Sequence, residues 1–418
     1  ITTPGPPQEF SSNDDPNGVG NGVGGDMDTP VVPFAVVMTR SPVIIKGLYG
    51  NRTKGGRQLA LKMYGGGGGG GGGLTEGAVL RALRWLKKNQ NADGSWNKTK
   101  PAMTGLALLT YLAHGETPSS PEFGATVEKA IKWFIDNQEP DGHFRGRDAH
   151  DYSHPIATYA LSEAYGMTKH PLVKTAAEKA LDIVIKGQHA SGGWNYNCDA
   201  STRDDTSYMG WCAQSLKAAK MAGLENAGLA EAMHKAILGF KKNSAPSGGF
   251  GYTGPGEGGL TGVGVLCMQL LGASREMECR NGVVWLEKQA SFDWDKPWLG
   301  ASIYYWYYAT QTKFHCGGDI WKKWNAQFAP QLIKNQQIEK AAIDGPKGKK
   351  FDIGWWEGPK ANNAHSDGLV MDTTLCTLQL EVYYRYLPTF QPPAAEGEEK
   401  KVDSNDIEIK VAPAAPAK

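Results

Sequence analysis

The chain has no long hydrophobic run: no stretch approaches the ~20 apolar residues that span a bilayer, so no transmembrane segment is expected. It also lacks a charge excess. Its 44 Lys and Arg nearly balance 43 Asp and Glu, for a formal net charge of +1, so the overall attraction to phosphate backbones is missing and no nucleic-acid partner is expected. Cysteine is sparse. The six (Cys198, Cys212, Cys267, Cys279, Cys316 and Cys376) include no Cys-x-x-Cys pair, the spacing by which zinc and dithiol sites announce themselves. Cys212, Cys267 and Cys376 fall in apolar helical patterns, where buried thiols are common, while Cys198, Cys279 and Cys316 are left either free or paired. The glycines around Gly249-Phe-Gly-Tyr-Thr-Gly254 lack the Lys-Ser/Thr of a phosphate loop and read as a tight turn.

What is present describes a globular protein able to bury a large core: 418 residues, 40% hydrophobic, with 13 Trp. The chain begins at Ile1 rather than Met, which is expected of a processed or trimmed protein, and an extracytoplasmic bacterial setting is favoured. Three regions differ in composition. Residues 1–73 are rich in Gly and Pro, end in nine glycines (Gly65 to Gly73), and read as an extended arm and linker for a protein partner or a second copy. Residues 389–418 read as a disordered tail.

Between them, residues 74–388 repeat one pattern six times. An amphipathic helical segment ends in a Gln- or Asn-marked turn with Gly and an aromatic, and a more apolar helical segment follows. The turns are Gln90-Asn-Ala-Asp-Gly-Ser-Trp96, Gln138-Glu-Pro-Asp-Gly-His-Phe144, Gln188-His-Ala-Ser-Gly-Gly-Trp194, the looser Asn243 to Phe250 and Gln289 to Trp294, and Gln336 followed by an insertion before Trp355-Trp356. A Gln amide both donates and accepts, so it can satisfy orphan groups at two helix ends. Six pairs alternating wet and apolar helices predict an all-α fold: an (α/α)6 toroid with first members outside and second members inside.

These turns resemble the repeats of squalene and terpenoid cyclases and protein prenyltransferases. The segments around Tyr152-Ser-His-Pro, Asp205-Thr-Ser and Val382-Tyr-Tyr-Arg-Tyr-Leu-Pro388 look most like the prenyltransferase/squalene-oxidase repeat proteins of planctomycete-type bacteria. The same ring serves complement thioester domains and cobalamin carriers, but the thioester Cys-Gly-Glu-Gln is absent.

Function is expected where the inner helices begin, since all six starts face one end of the ring and their N–H groups favour anionic or acceptor groups. Asp204-Asp205-Thr206 resembles the D-x-D-D-T-A motif of squalene-hopene-type cyclases. That resemblance implies Asp204 and Asp205 as the acid, whereas the residues alone make Asp205 a helix cap. Asp148, His150, Asp151, His154, Arg203, His365 and Asp372 are further candidates for the cavity mouth, and Tyr304, Tyr305 and Tyr308 for an aromatic wall. Prenyltransferases hold zinc through Asp, Cys and His, but no ligand pair here has a diagnostic spacing, and neither metal nor cofactor is expected. Two readings stay open. One is a non-catalytic binding or assembly module, its ligand an apolar isoprenoid-like molecule. The other is a class II terpenoid-cyclase-like or prenyl-transferring enzyme.

Overall fold

The structure is a computed structural model that describes residues 47–65, 72–146, 148–149, 151–201, 203–297, 300, 302–359 and 366–385. Helix α1 (Lys54–Tyr64) precedes the ring. The outer helices are α2 (Gly73–Lys88), α4 (Gly124–Asn137), α6 (Pro171–Lys186), α8 (Leu229–Lys242), α10 (Met277–Gln289) and α12 (Gly318–Asn335). The inner helices are α3 (Lys100–His114), α5 (Ser153–Thr168), α7 (Thr206–Ala222), α9 (Leu260–Leu270), α11 (Ser302–Cys316) and α13 (Leu369–Leu380), followed by the short α14 (Val382–Arg385). Each inner helix packs on the next, and α13 returns to α3, so the inner ring closes. The (α/α)6 toroid expected from the repeat is the observed fold.

The repeated turn works as its chemistry suggests. Gln90 Nε2 donates to the carbonyl of Gly94 within its own turn (2.9 Å) and to that of Thr126 on the next outer helix (3.0 Å). Gln138 and Gln188 repeat this with Ala176 and Ala232. Gln336 Nε2 reaches Ala78 O of α2 (2.8 Å), carrying the same bond across the seam between last and first outer helices. The fifth turn differs: Gln331 of α12 supplies the amide to Phe292 O instead. Trp96, Trp194 and Trp356 are fully buried. Their indole N–H groups donate to the carbonyls of Leu86, Val184 and Leu332, in the last turns of the preceding outer helices. Gly142 lies at φ +98°, and a Cβ there would stand 2.6 Å from Lys179 O, so helix approach and backbone conformation both require glycine.

Two parts of the chain depart from the sequence expectation. Within the segment read as an extended arm, residues 47–64 form a 3-10 turn (Gly47–Arg52) and α1, which seal the end of the ring where the inner helices finish. Arg52 is wholly buried there, donating to Glu163 Oε2 (2.8 Å), Leu112 O (3.2 Å) and Arg385 O (3.2 Å). Such an ion pair is tolerated because two further guanidinium N–H groups meet carbonyls at the ends of α3 and α14. The rest of the arm ahead of Gly47 lies outside the described residues, as does the tail. The insertion after Gln336 is an antiparallel hairpin, β1 (Gln337–Asp344) and β2 (Lys350–Trp355), lying over α2 with Trp355 stacked on Trp85.

All six cysteines are buried free thiols. Burial pushes those of Cys279 and Cys316 up to about 12. Among the described residues no helix is long and apolar enough to cross a membrane.

Candidate functional site: the axial cavity

At the end opposite the seal, where the inner helices begin, the ring encloses a cavity of about 700 Å³, within the ~300–1,000 Å³ range of small-molecule sites. Inner helices supply its wall from their first two turns, one face each: Ala102 and Leu106 on α3, Tyr152 and Ile156 at α5, Ser207 and Trp211 on α7, Met371 and Leu375 on α13. The four-residue spacing is what one face of a helix presents. Leu260, Ile303, Tyr304 and Tyr305 complete the wall from α9 and α11, and Tyr196 and Tyr252 overhang it from the turns before α7 and α9. Hydrocarbon and aromatic rings dominate the depth. Asp151, Asp367 and Asp372 lie at the rim.

The Asp-Asp-Thr step sits beside the cavity, and its two carboxylates diverge. Asp205 is fully buried as the N-cap of α7: its Oδ1 accepts from the N–H of Ser207 (3.0 Å), the N–H of Tyr208 (3.1 Å) and Ser207 Oγ (2.5 Å). Its Oδ2 faces Arg203 at 3.4 Å. Asp204 turns outward, where Oδ1 takes Ser191 Oγ (2.6 Å) and lies 3.0 Å from His189 Nε2, and Oδ2 meets Lys242 Nζ (2.5 Å). The cap read from the residues is therefore formed, and neither carboxylate is part of the cavity wall. Asp205 reaches the cavity through a hydroxyl. Because Ser207 Oγ gives its proton to Asp205, the Tyr152 hydroxyl 2.6 Å away donates to Ser207. Burial pushes the Tyr152 phenol up to about 12, partly offset by its bond with Ser207.

The other candidates separate. Asp151 and Asp372 are on the rim. Asp151 accepts from Asn197 Nδ2 (3.1 Å), and Asp372 accepts from Gly358 N–H (2.9 Å) and Ser366 Oγ (2.7 Å). Asp148 is exposed, 3.7 Å from Lys100. Arg203 lies over the rings of Tyr196 and Tyr252 at 5.3 and 5.2 Å, and the two phenol hydroxyls touch. His150 and His365 lie outside the described residues.

His154 is buried off the wall. Its Nδ1 accepts the Phe144 N–H (3.2 Å) and its Nε2 donates to Ala180 O (3.0 Å). Burial, reinforced by the neighbouring His143, holds its imidazole down to about 3, so it is neutral. Thr104, Thr261 and Thr373 accept the N–H of Trp96, Phe250 and Trp356 in the same way. His154 thus occupies a repeat position that elsewhere takes Thr.

Of the aromatic candidates, Tyr304 and Tyr305 line the cavity. Tyr308 lies one turn deeper, fully buried and bonded to Gln214 Nε2 (3.2 Å), because the next turn of α11 passes beneath the floor. Sequence reasoning passed over Ser207, Trp211, Tyr196 and Tyr252 as cavity residues. The four-residue step from each inner-helix start would have found Trp211, and an aromatic two positions after Trp194 and Phe250 would have found the tyrosines. Among the described residues no group of three His, Cys, Asp or Glu could hold a metal ion.

Residues 101–293 match the family model described as the prenyltransferase alpha-alpha toroid domain. The enfumafungin synthase of Hormonema carpetanum is 28% identical over 110 residues, 22% of this chain and 8% of that protein. The ent-copalyl diphosphate synthase of Streptomyces sp. (strain KO-3988) is 26% identical over 130 residues, 28% of this chain and 25% of that one. The matches thus span a quarter or less of these relatives. Among solved structures, an inactive variant of the alpha-1,6-mannanase GH76A of Salegentibacter sp. HEL1_6, in complex with alpha-1,6-mannotriose, aligns with a TM-score of 0.52 at 11% identity, covering 75% of this chain and 99% of that one. At that identity the likeness is one of fold, and fold does not choose among chemistries. Residues 101–293 are thus similar to the prenyltransferase alpha-alpha toroid domain, and the closed ring of six helix pairs is the fold which that description names.

Proposed function

We propose that this protein is a non-catalytic toroidal binding module whose axial cavity receives an apolar, isoprenoid-like ligand. One observation carries the reading: both carboxylates of the Asp-Asp-Thr step are directed at protein donors, while below the rim carboxylates of Asp151, Asp367 and Asp372 the wall facing a ligand is mostly hydrocarbon and phenol. A general acid must hold a proton within reach of its substrate, and an oxygen accepting two backbone N–H groups and a hydroxyl is built to accept. The ent-copalyl diphosphate synthase among the relatives supports an isoprenoid-sized hydrocarbon as occupant. Residues 47–65 are engaged in sealing the ring, so docking on a protein partner or second copy falls to the segment ahead of Gly47.

A second reading is favoured by the hydroxyl pair Tyr152–Ser207. It connects Asp205 to the cavity and offers a proton path to a class II terpenoid-cyclase-like reaction, with Asp204 and Asp205 as its acidic pair.

The test pairs binding with turnover. Farnesol should quench intrinsic tryptophan fluorescence saturably in the native protein and not in Ile303→Trp, which fills the cavity. Incubation with squalene or geranylgeranyl diphosphate should return the substrate unchanged by gas chromatography. A cyclised product that disappears in Asp205→Asn would overturn the non-catalytic reading.

A further inference from the structure

We infer that the ligand of the axial cavity carries a cationic, hydrogen-bond-donating head, an amine rather than a diphosphate, on its apolar body. The inference rests on the cavity reading above and assigns the class of head group that the rim selects. Depth and rim differ in chemistry. Leu106, Ile156, Trp211 and Leu375 line the depth, whereas the rim carries the carboxylates of Asp151, Asp367 and Asp372. Among the described lining residues there is no Lys, Arg or His.

The described cations nearby are engaged elsewhere. Arg203 faces Asp205 and lies between the rings of Tyr196 and Tyr252. Lys100 is held by Asp93 at 3.0 Å, with Asp148 at 3.7 Å. A diphosphate arriving at this rim would meet like charge in a cleft whose apolar walls focus the field. An ammonium would meet acceptors. Asp151 and Asp367 are exposed there, while Asp372 is held by Ser366 and Gly358. The phenol faces of Tyr304 and Tyr305 on the same wall add attraction for a cation.

The inner-helix N-termini pull the other way, since their N–H groups favour anions. At two of the six starts the protein's own carboxylates take up that preference: Asp205 caps α7, and Asp372 lies in the first turn of α13. At the others the rim carboxylates, each a full charge against the roughly half charge of a helix end, set the sign that an incoming head meets.

The experiment compares three ligands with one farnesyl chain, farnesylamine, farnesol and farnesyl diphosphate, by tryptophan-fluorescence titration below their micellar concentrations. We expect the amine to bind about 10-fold tighter than the alcohol, and the diphosphate weakest, with the spread narrowing at high salt. In Asp151→Asn/Asp367→Asn the amine's advantage should fall several-fold while farnesol binding holds. Binding of the diphosphate as tight as that of farnesol overturns the head assignment alone, as does an amine preference untouched by the double variant. Amine binding that persists in Ile303→Trp also overturns it, because the association would then be at the surface. Failure of all three ligands to bind overturns the cavity reading itself.

Discussion

Substitution of Asp205 distinguishes a helix cap from an acid. Its Oδ1 holds two backbone N–H groups and the Ser207 hydroxyl, with no exposure to solvent. Asn keeps an oxygen in that place and ranks with Asp as an N-cap, so Asp205→Asn should lose only charge assistance, about 1 kcal/mol. Ala removes the cap, at about 1 kcal/mol, and strands a buried hydroxyl, at about 1–3 kcal/mol. The expected totals are therefore about 1 kcal/mol for Asn and about 2–4 kcal/mol for Ala. A ring of about 300 residues has an unfolding entropy near 0.6 kcal/mol/K, so these become shifts of roughly 2 °C and 3–7 °C in Tm. Scanning calorimetry of the native protein and both variants at pH 7 reads them directly. The cap account fails if Asn costs as much as Ala. It also fails if Asn raises Tm, because the buried carboxyl would then be a net destabilising group retained for chemistry.

Three further outcomes follow from the ring. The His154 imidazole is held down to about 3 by burial, against an ordinary 6.5, so the stability tied to its neutral form is complete above about pH 6.5 and is lost as pH falls toward 3. The loss is on the order of 5 kcal/mol in full. His154→Thr, which copies the acceptor used by Thr104 and Thr373, should cost about 1–3 kcal/mol at pH 7 yet flatten the decline between pH 6.5 and 4 in urea unfolding; an unchanged pH slope would refute it. Gly142→Ala places a Cβ 2.6 Å from Lys179 O at φ +98° and should cost about 2 kcal/mol or more, and a Tm within 1 °C of the native value would contradict the close-approach argument. Gln336→Ala leaves Ala78 O without its amide and Arg81 without its acceptor, so about 1–3 kcal/mol should be lost in urea unfolding, and a negligible loss would remove Gln336 from ring closure.

Most of the ring was legible because the repeat is local. Gln, Gly and Trp meet groups within about ten residues or on the next outer helix, and a pattern that recurs six times exposes such short-range rules. The fifth turn was the least legible of the Gln-marked turns because the amide that reaches its Phe292 carbonyl belongs to Gln331 of the next outer helix and not to the Gln289 that marks the turn. The cavity was legible in part. Inner-helix starts gave its location, along with Asp151, Asp372, Tyr304 and Tyr305, but not which face of each start looks inward. That face is set by packing between neighbouring inner helices, which placed Tyr308 below the floor and brought Ser207 and Trp211 onto the wall.

The seal at residues 47–64 was misread because its signal is tertiary. Lys54 to Tyr64 has few apolar positions and two glycines, and it is held by Arg52 and Arg57 reaching helix-end carbonyls contributed by Leu112, Arg385 and His114. No window of sequence contains both partners of those bonds.

By itself, then, the sequence determined the scaffold: hydrophobic period and turn chemistry act between near neighbours and are written in order along the chain. Only the tertiary structure decided the character of the site. Whether a carboxylate caps a helix, binds an outer lysine or faces a cavity depends on the direction of one side chain: Asp205 follows its local cap, but Asp204 is turned by Lys242 of the next outer helix and Asp372 is held by Gly358 on the far side of the turn before α13, partners that only the packed ring brings within reach.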